Sequence, residues 1–140
     1  KKDVREPEQK FSELLDGSPA VDWWYKNGDS GKANFAVPYT DIEGHPRCFY
    51  VDYIIRLTNG TICLFDTKTE GSDKNGANKH NALLEYIKRH NESGQTKFVG
   101  GIIIRNGDTN NWYYSSMPIS NTTDISGWDL LELDILAEMP

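Results

Sequence analysis

Two strand-like segments joined by a turn occupy residues 48–68, with the sequence CFYVDYIIRLTNGTICLFDTK. Both segments are apolar at most positions, which is typical of central strands that are covered on two faces. The pair Asn59-Gly60 between them is the strongest short-range hairpin signal in the chain. The sequence therefore predicts a central β-hairpin with strands over residues 48–57 and 61–68.

The turn of this hairpin determines which side chains share a face of the sheet. With a three-residue loop and Gly60 in the left-handed conformation, Asp52 lies directly opposite Asp66. With a two-residue turn, the two aspartates fall on opposite faces unless a bulge corrects the register. Lys68 shares the face of Asp66 in both cases, because the two residues are two positions apart on one strand. The three-residue loop thus predicts a cluster of these three side chains.

The segments around the hairpin alternate between helix-like and strand-like patterns. Apolar residues at helical spacing predict helices over residues 7–16, 78–90 and 128–137. Alternating or continuous apolar runs predict further strands over residues 21–26, 35–39, 98–105 and 112–115. This order indicates an α/β fold in which a single β-sheet is flanked by helices.

Length and composition limit the class of protein. The chain has 140 residues and four tryptophans, enough for one domain, residues 1–140, with a core of its own. The formal net charge of −6 argues against a protein that coats nucleic acid by bulk charge, but it does not exclude a local basic groove. The longest apolar stretch, residues 98–104, is far too short for a membrane span of about 20 residues. Because the chain begins with Lys1, we expect a domain excised from a larger protein.

The two cysteines, Cys48 and Cys63, show no spacing that is typical of zinc ligands. A three-residue hairpin loop also places them on opposite faces of the sheet, which excludes a disulfide between them. Unpaired cysteines are typical of a reducing compartment, so we expect the protein in the cytoplasm. Unpaired cysteines and the lack of a signal peptide both argue against an extracellular sugar-binding domain, which is a further alternative.

Two carboxylates directly opposite each other in a hairpin repel and require a compensating cation. The oxygens of Asp52 and Asp66 are hard ligands that suit Mg²⁺, which binds one or two protein carboxylates and keeps other positions for water and phosphate. On the same face, Lys68 could orient or deprotonate an attacking water, or stabilise charge that develops on phosphorus. The simpler alternative is a surface ion pair between Asp66 and Lys68.

The spacing of these residues resembles the motif of the PD-(D/E)XK nucleases. Asp52 is followed by a thirteen-residue spacer that contains the turn, and then by Asp66-Thr67-Lys68 at the end of an apolar strand. Three segments together resemble the C-terminal nuclease domain of type III restriction enzyme Res subunits and related helicase-nuclease proteins, over about residues 6–105. They are residues 25–28 (YKNG), 49–52 (FYVD) and 64–68 (LFDTK). The chain departs from the motif at Val51, where a proline is usual.

The resemblance implies a restriction-endonuclease-like fold with an αβββαβ core and a single mixed sheet. It implies a Mg²⁺-dependent DNA endonuclease, with Mn²⁺ as a possible substitute, in which Asp52, Asp66 and the Thr67 carbonyl hold the metal and Lys68 acts on the attacking water. The implied partners are double-stranded DNA, a helicase or translocase domain in the same chain, and a modification or recognition subunit.

A glutamate on the first helix often completes such sites. At about 100° per residue, Glu8 lies roughly 70° from the centre of the apolar stripe of that helix, whereas Glu13 lies about 150° away. Glu8 is therefore the candidate, with a simple helix-dipole role as the alternative. Lys79 precedes Leu83 by four residues on the second helix, so it either reaches the site or a DNA phosphate, or is an ordinary exposed lysine.

A second hypothesis is a catalytically inactive module of the same fold that binds nucleic acid or a partner protein. The aromatic runs at residues 23–24 and 112–114 put rings on both faces of their strands, so that some rings could stack on bases. The three histidines, His45, His80 and His90, show no pair at metal spacing, and we expect none of them to bind a metal.

Overall fold

The computed structural model of the protein describes residues 6–27, 35–68, 73–106 and 108–139. Its helices are α1 (Glu6–Asp16), α2 (Gly76–Ser93) and the short α3 (Leu133–Leu136). Its strands are β1 (Val21–Lys26), β2 (Val37–Thr40), β3 (Pro46–Phe49), β4 (Tyr53–Leu57), β5 (Ile62–Lys68), β6 (Phe98–Arg105), β7 (Trp112–Tyr114) and β8 (Asp129–Leu130). The predicted mixed α/β class is confirmed.

Six strands form one mixed sheet in the order β1-β4-β5-β6-β7-β8, and β2 and β3 form a separate two-stranded sheet, so the prediction of a single sheet is wrong for this pair. The pair β5 and β6 is parallel, whereas the other neighbours in the large sheet are antiparallel. A parallel pair requires a crossover connection, and α2 provides it. The hairpin strands β4 and β5 are therefore internal to the sheet, as their apolar sequences predicted. In the described part of the chain, no helix is long and apolar enough to cross a membrane.

The β4–β5 hairpin has the register of the three-residue loop. Tyr53 pairs with Phe65, and Ile54 pairs with Leu64. Gly60 has a φ of 91°, which is the left-handed conformation that this loop requires. The backbone N–H of Leu57 closes the turn by donating to the carbonyl oxygen of residue 61, at 2.9 Å. Continuing the same register by one residue pair brings position 52 opposite position 66.

Alternate side chains of the hairpin enter two different cores. Tyr53 and Phe65 are fully buried on one face, where the ring of Phe11 from α1 meets both in edge-to-face contacts. Ile54 and Leu64 belong to the core on the other face, beneath α2. Because side chains alternate along a strand, Asp66 and Lys68 project to the same side as Leu64, the α2 face of the sheet.

The strand predicted over residues 48–57 is wrong in one respect, because two strands in different sheets share that stretch. β3 ends at Phe49, and β4 begins at Tyr53. Between them, Asn27 takes over the hydrogen bonds that a strand partner would make: its Nδ2 donates to the carbonyl of Val51 at 3.2 Å, and its backbone N–H donates to that of Asp52 at 2.8 Å. The backbone therefore bends at the start of the candidate site.

The predicted helix over residues 128–137 is also wrong. Asp129–Leu130 forms the edge strand β8 against β7, and only Leu133–Leu136 is helical. The backbone N–H of Leu131 donates to the carbonyl of Trp112 at 2.8 Å, so pairing with the sheet replaces the helical hydrogen bonds of this segment. The apolar residues that produced the helical pattern are buried, since Leu131, Leu133 and Leu136 lie in the α1-side core. The other predicted elements begin and end within a few residues of the observed ones.

Candidate active site

Asp52 and Asp66 meet where β4 begins and β5 ends. The backbone N–H of Asp52 donates to Oδ1 of Asp66 at 3.1 Å. Oδ2 of Asp52 accepts two hydrogen bonds from Thr67, from the backbone N–H at 3.0 Å and from Oγ1 at 2.9 Å. The two carboxylates are thus held next to each other by the backbone of the hairpin itself, as the three-residue loop predicted.

Asp66 is the most deeply buried charged group of the site, with 2% of its surface exposed. Within the described part of the chain, its Oδ2 atom is buried and has no hydrogen bond. The ammonium group of Lys68 approaches it at 3.3 Å, an ion-pair distance. Burial, followed by the charge of Asp52, raises the pKa of Asp66 to about 8, although Lys68 acts in the opposite direction. The structure therefore contains an acid whose ionised form lacks sufficient stabilisation.

Lys68 lies between two carboxylates. Its Nζ is 3.3 Å from Oδ2 of Asp66 and 3.4 Å from Oδ2 of Asp73. Burial opposes the charged form of Lys68, but the two carboxylates outweigh it and raise the pKa of its ammonium group. At neutral pH Lys68 is therefore a cation and a hydrogen-bond donor.

Lys79 reaches the site through Asp73. Its Nζ donates to Oδ2 of Asp73 at 2.8 Å and lies over the rings of Tyr39 and Phe49, at 5.9 and 5.6 Å from their centroids. Of the alternatives that the sequence left open for Lys79, this contact matches a position facing the site, and a contact with a DNA phosphate stays a prediction. Asp73 itself was missed by the sequence analysis, because it lies in a polar connection with no periodic pattern.

The charges that the described residues bring to the site do not balance. Among these residues, three carboxylates, those of Asp52, Asp66 and Asp73, face two ammonium groups, those of Lys68 and Lys79. When all five groups are ionised, the cluster carries one negative charge. In a largely buried site this excess is unfavourable and would be relieved either by a proton on Asp66 or by an additional cation.

Glu8 lies on the α1 side of the sheet. Its carboxylate forms an ion pair with Lys26, and its backbone carbonyl accepts a hydrogen bond from the Tyr53 hydroxyl at 2.6 Å. The side chain of Glu8 is 12% exposed, whereas Glu13 is exposed, so the helix geometry chose the inward residue correctly. The described residues do not gather Glu8 with Asp52 into a group of three metal ligands, and a direct role for Glu8 stays a prediction.

A different group of three potential ligands occurs in the β2–β3 turn. Ligand atoms of Asp41, Glu43 and His45 lie within 4.8 Å of one another. Asp41 is already bound, since Arg47 Nε donates to its Oδ2 at 2.9 Å and the backbone N–H groups of Glu43 and His45 donate to its Oδ1. The backbone bond from His45, followed by Arg47, lowers the pKa of Asp41 to about 2. The alternating spacing of these residues in the sequence is the signal that points to this group, and the hydrogen bonds of Asp41 account for the conformation of the turn.

The predicted site residues fall into two groups. Asp52, Asp66, Thr67 and Lys68 are connected by direct contacts, and Lys79 joins them through Asp73. Glu8 is apart from them, because it belongs to α1, which packs on the opposite face of the sheet, and its carboxylate forms an ion pair with Lys26 of β1.

Comparison with known proteins identifies no relative. The chain matches no family model, no curated protein and no solved structure.

Proposed function

We propose that the protein hydrolyses phosphodiester bonds of DNA with the help of a divalent cation, Mg²⁺ or Mn²⁺, held by Asp52 and Asp66. The observation that carries this proposal is the pairing of two carboxylates across the hairpin, one of them with a buried oxygen that accepts no hydrogen bond from the described residues. Lys68 lies 3.3 Å from this oxygen but offsets only part of its desolvation, since burial and Asp52 still raise the pKa of Asp66 to about 8.

The residues present fit a magnesium ion. Both side chains offer oxygen ligands, and Mg²⁺ in proteins is commonly bound by one or two carboxylates. Asp66 Oδ2 accepts no hydrogen bond from the described residues and has Lys68 Nζ at 3.3 Å, and Thr67 holds the Asp52 carboxylate in place with two hydrogen bonds. By resemblance to the PD-(D/E)XK nucleases, the Thr67 carbonyl would be a third ligand. The positive charge of the ion would offset the excess negative charge of the site.

A metal ion held by Asp52 and Asp66 would supply Lewis-acid stabilisation of a phosphodiester and would make water more acidic. The chain supplies the remaining groups. The ammonium of Lys68 is held by Asp66 and Asp73 on the same face as the two aspartates, where it can donate to phosphate oxygens as negative charge grows on them. Because Lys68 is a cation between two carboxylates, we assign it charge stabilisation rather than removal of a proton.

The chain order of the elements supports a restriction-endonuclease-like core. Without the two-stranded insertion β2–β3, the order is α1, β1, β4, β5, α2, β6, and the four strands are neighbours in the sheet. This is the αβββαβ order that the resemblance implies. We further propose, on the resemblance alone, that a helicase or translocase domain in the same chain and a recognition subunit deliver double-stranded DNA. Tethering would compensate for the net charge of −6 by raising the effective concentration of DNA.

Metal binding and plasmid nicking test this function. We expect Mn²⁺ binding by calorimetry and Mg²⁺-dependent nicking for the natural chain, no metal binding for Asp66→Asn, and nicking reduced at least about 100-fold for Asp66→Asn and Lys68→Met. Asp108→Asn is a matched control, because Asp108 is an exposed aspartate outside the site. Undiminished nicking by both site variants would exclude the proposal.

The catalytically inactive module remains the second candidate. It is favoured by Lys68, which already supplies the hairpin with an internal cation at 3.3 Å from Asp66, so that the cluster can be interpreted as a structural ion pair. This candidate predicts that Mn²⁺ produces no heat above that of Asp66→Asn in the calorimeter. The same titration therefore decides between the two functions.

A further inference from the structure

We infer that Trp23 and Tyr25 on the edge strand β1, together with Arg56 beside them, bind unpaired nucleotides of a DNA strand. These three residues are called the aromatic strip below. The inference rests on the proposed function and deepens it, since it adds that the double-stranded DNA delivered by a helicase or translocase domain reaches this protein with some of its bases unpaired.

The two aromatic rings are exposed together on one side of β1. Trp23 and Tyr25 are 42% and 43% exposed, and their ring planes are inclined by 23° with centroids 6.1 Å apart. Trp24, between them in sequence, turns to the other face and packs against Tyr53 in the α1-side core. Because side chains alternate along the strand, the ring of Trp24 packs in the core, whereas Trp23 and Tyr25 expose two nearly parallel rings to solvent. A binding role would explain why this apolar surface is left exposed to water.

The aromatic strip lies on the same face of the sheet as the two aspartates. Tyr25 pairs with Ile54 and Trp23 pairs with Arg56, and positions 54 and 56 follow Asp52 at steps of two along the chain. At about 3.3 Å per residue, Arg56 is ~13 Å from Asp52 along the strand, the length of a few nucleotides. The far end of β1 leads into Asn27, whose backbone N–H donates to the Asp52 carbonyl at 2.8 Å. The rings and the two aspartates therefore share one face of the sheet, with the buried residues Ile54 and Asn27 between them.

A cationic side chain accompanies the rings. The side chain of Arg56 is 50% exposed, and its Nε is 3.7 Å from the exposed carboxylate of Asp22, which makes a weak ion pair that a phosphate can replace. Arg56 pairs directly with Trp23 across the two strands. A cation beside two rings can bind a phosphate while the rings stack on the neighbouring bases of a single strand.

The geometry favours unpaired DNA over the alternatives. In a duplex the flat faces of the bases are covered by their neighbours, so exposed rings can stack only on bases that are unpaired. An apolar protein partner would require a continuous apolar patch, whereas this strip is bordered by the charges of Asp22 and Arg56. Stacking also tolerates any base, which suits a cutting module whose sequence recognition is provided elsewhere.

Fluorescence anisotropy with labelled DNA in EDTA and about 50 mM salt tests the inference. We expect the natural chain to bind a twelve-nucleotide oligothymidine more tightly than a twelve-base-pair duplex. Trp23→Ala and Tyr25→Ala should each weaken single-strand binding about 5-fold or more, whereas Trp23→Phe should retain most of it. Arg56→Gln should weaken binding and reduce the slope of log K against log salt by about 0.7. Met117→Ala, at an apolar residue that is 67% exposed elsewhere, is the matched control.

Binding is measured without metal, so its outcome is independent of catalysis. Single-strand binding that depends on the strip, in a chain that neither binds Mn²⁺ nor nicks plasmid, would support this inference and refute the proposed function. Binding by the Trp23→Ala/Tyr25→Ala double variant equal to that of the natural chain, at unchanged thermal stability, would overturn the inference. So would equal binding of duplex and single strand. Sedimentation of the natural chain as a dimer that the double variant abolishes, without DNA binding, would assign the strip to a second copy and also overturn it.

Discussion

Replacing Asp66 with asparagine distinguishes a metal ligand from a structural ion pair, because the two roles predict opposite changes in stability. The pKa of Asp66 is about 8 in the folded protein, against a reference value of 3.8. A raised pKa in the folded state means that the stability contributed by this group is complete below about pH 4 and is lost as the pH rises to about 8. Asparagine has no charge and cannot show this loss.

The magnitude follows from the same two values. Each unit of difference in pKa corresponds to about 1.4 kcal/mol, so the full window corresponds to an upper bound of about 6 kcal/mol in the free energy of unfolding. Loss of the Asp66–Lys68 ion pair offsets part of this gain, although Lys68 retains Asp73. The asparagine carbonyl can still accept the hydrogen bond from the backbone N–H of Asp52. We therefore expect Asp66→Asn to be more stable than the natural chain at pH 8, by about 2–4 kcal/mol without metal.

Urea unfolding followed by tryptophan fluorescence, in EDTA between pH 5 and pH 9, measures this difference. The natural chain should lose stability relative to Asp66→Asn as the pH rises, and the Asp108→Asn control should follow the natural chain. Saturating Mn²⁺ should restore stability to the natural chain only, by about 2.7 kcal/mol at a hundred times its Kd. If Asp66→Asn is instead the less stable protein throughout this pH range, the carboxylate is a structural partner of Lys68 and the reasoning is refuted.

Three further predictions concern pH, backbone geometry and the core. If Asp66 binds Mn²⁺ as proposed, the ion displaces the proton of its carboxyl group, so we expect the apparent affinity in calorimetry to rise up to about tenfold per pH unit as far as pH 8 and then to level off. Gly101→Ala should destabilise the protein by more than about 2 kcal/mol in urea, because a Cβ there would lie 2.6 Å from Cε1 of the buried His80 at a φ of +145°. Gly127→Ala, with nothing within 4 Å of the added Cβ, should change stability little in the same experiment, and equal effects of the two would contradict the prediction. Phe11→Ala should cost about 3–5 kcal/mol in thermal or urea unfolding, since the ring is fully buried; a loss below 1 kcal/mol would argue against the docking of α1.

Local sequence patterns were sufficient for much of the fold and part of the site. Asn59-Gly60 predicts the central hairpin but leaves two registers open, and the three-residue loop with Gly60 in the left-handed conformation is the one that brings Asp52 next to Asp66. The apolar stripe of α1 distinguishes the inward Glu8 from the exposed Glu13. In both cases the relevant interactions are between residues close in sequence, so turn chemistry limits the register to two choices and periodicity selects the inward side of the helix.

Local patterns failed where distant segments compete for the same backbone. The segment 128–137 has helical periodicity, but pairing with β7 turns its first part into strand β8. The bend at Asp52 depends on hydrogen bonds from Asn27, which is far away in sequence. The periodicity of a segment does not reveal such contacts, because the same pattern of apolar residues is also compatible with a helix or strand that has no distant partner.

The amino-acid sequence by itself determined the α/β class, the central hairpin and the side chains of Asp66 and Lys68 on one face, because alternation and turn geometry act over a few residues. Only the tertiary structure decided how strongly the site is charged and buried. The crossover of α2 brings Lys79 to Asp73, and Asp73 to Lys68, while packing beneath the helix removes Asp66 Oδ2 from solvent. Burial and electrostatic coupling are sums over all surrounding segments, and they exist only once the chain has folded.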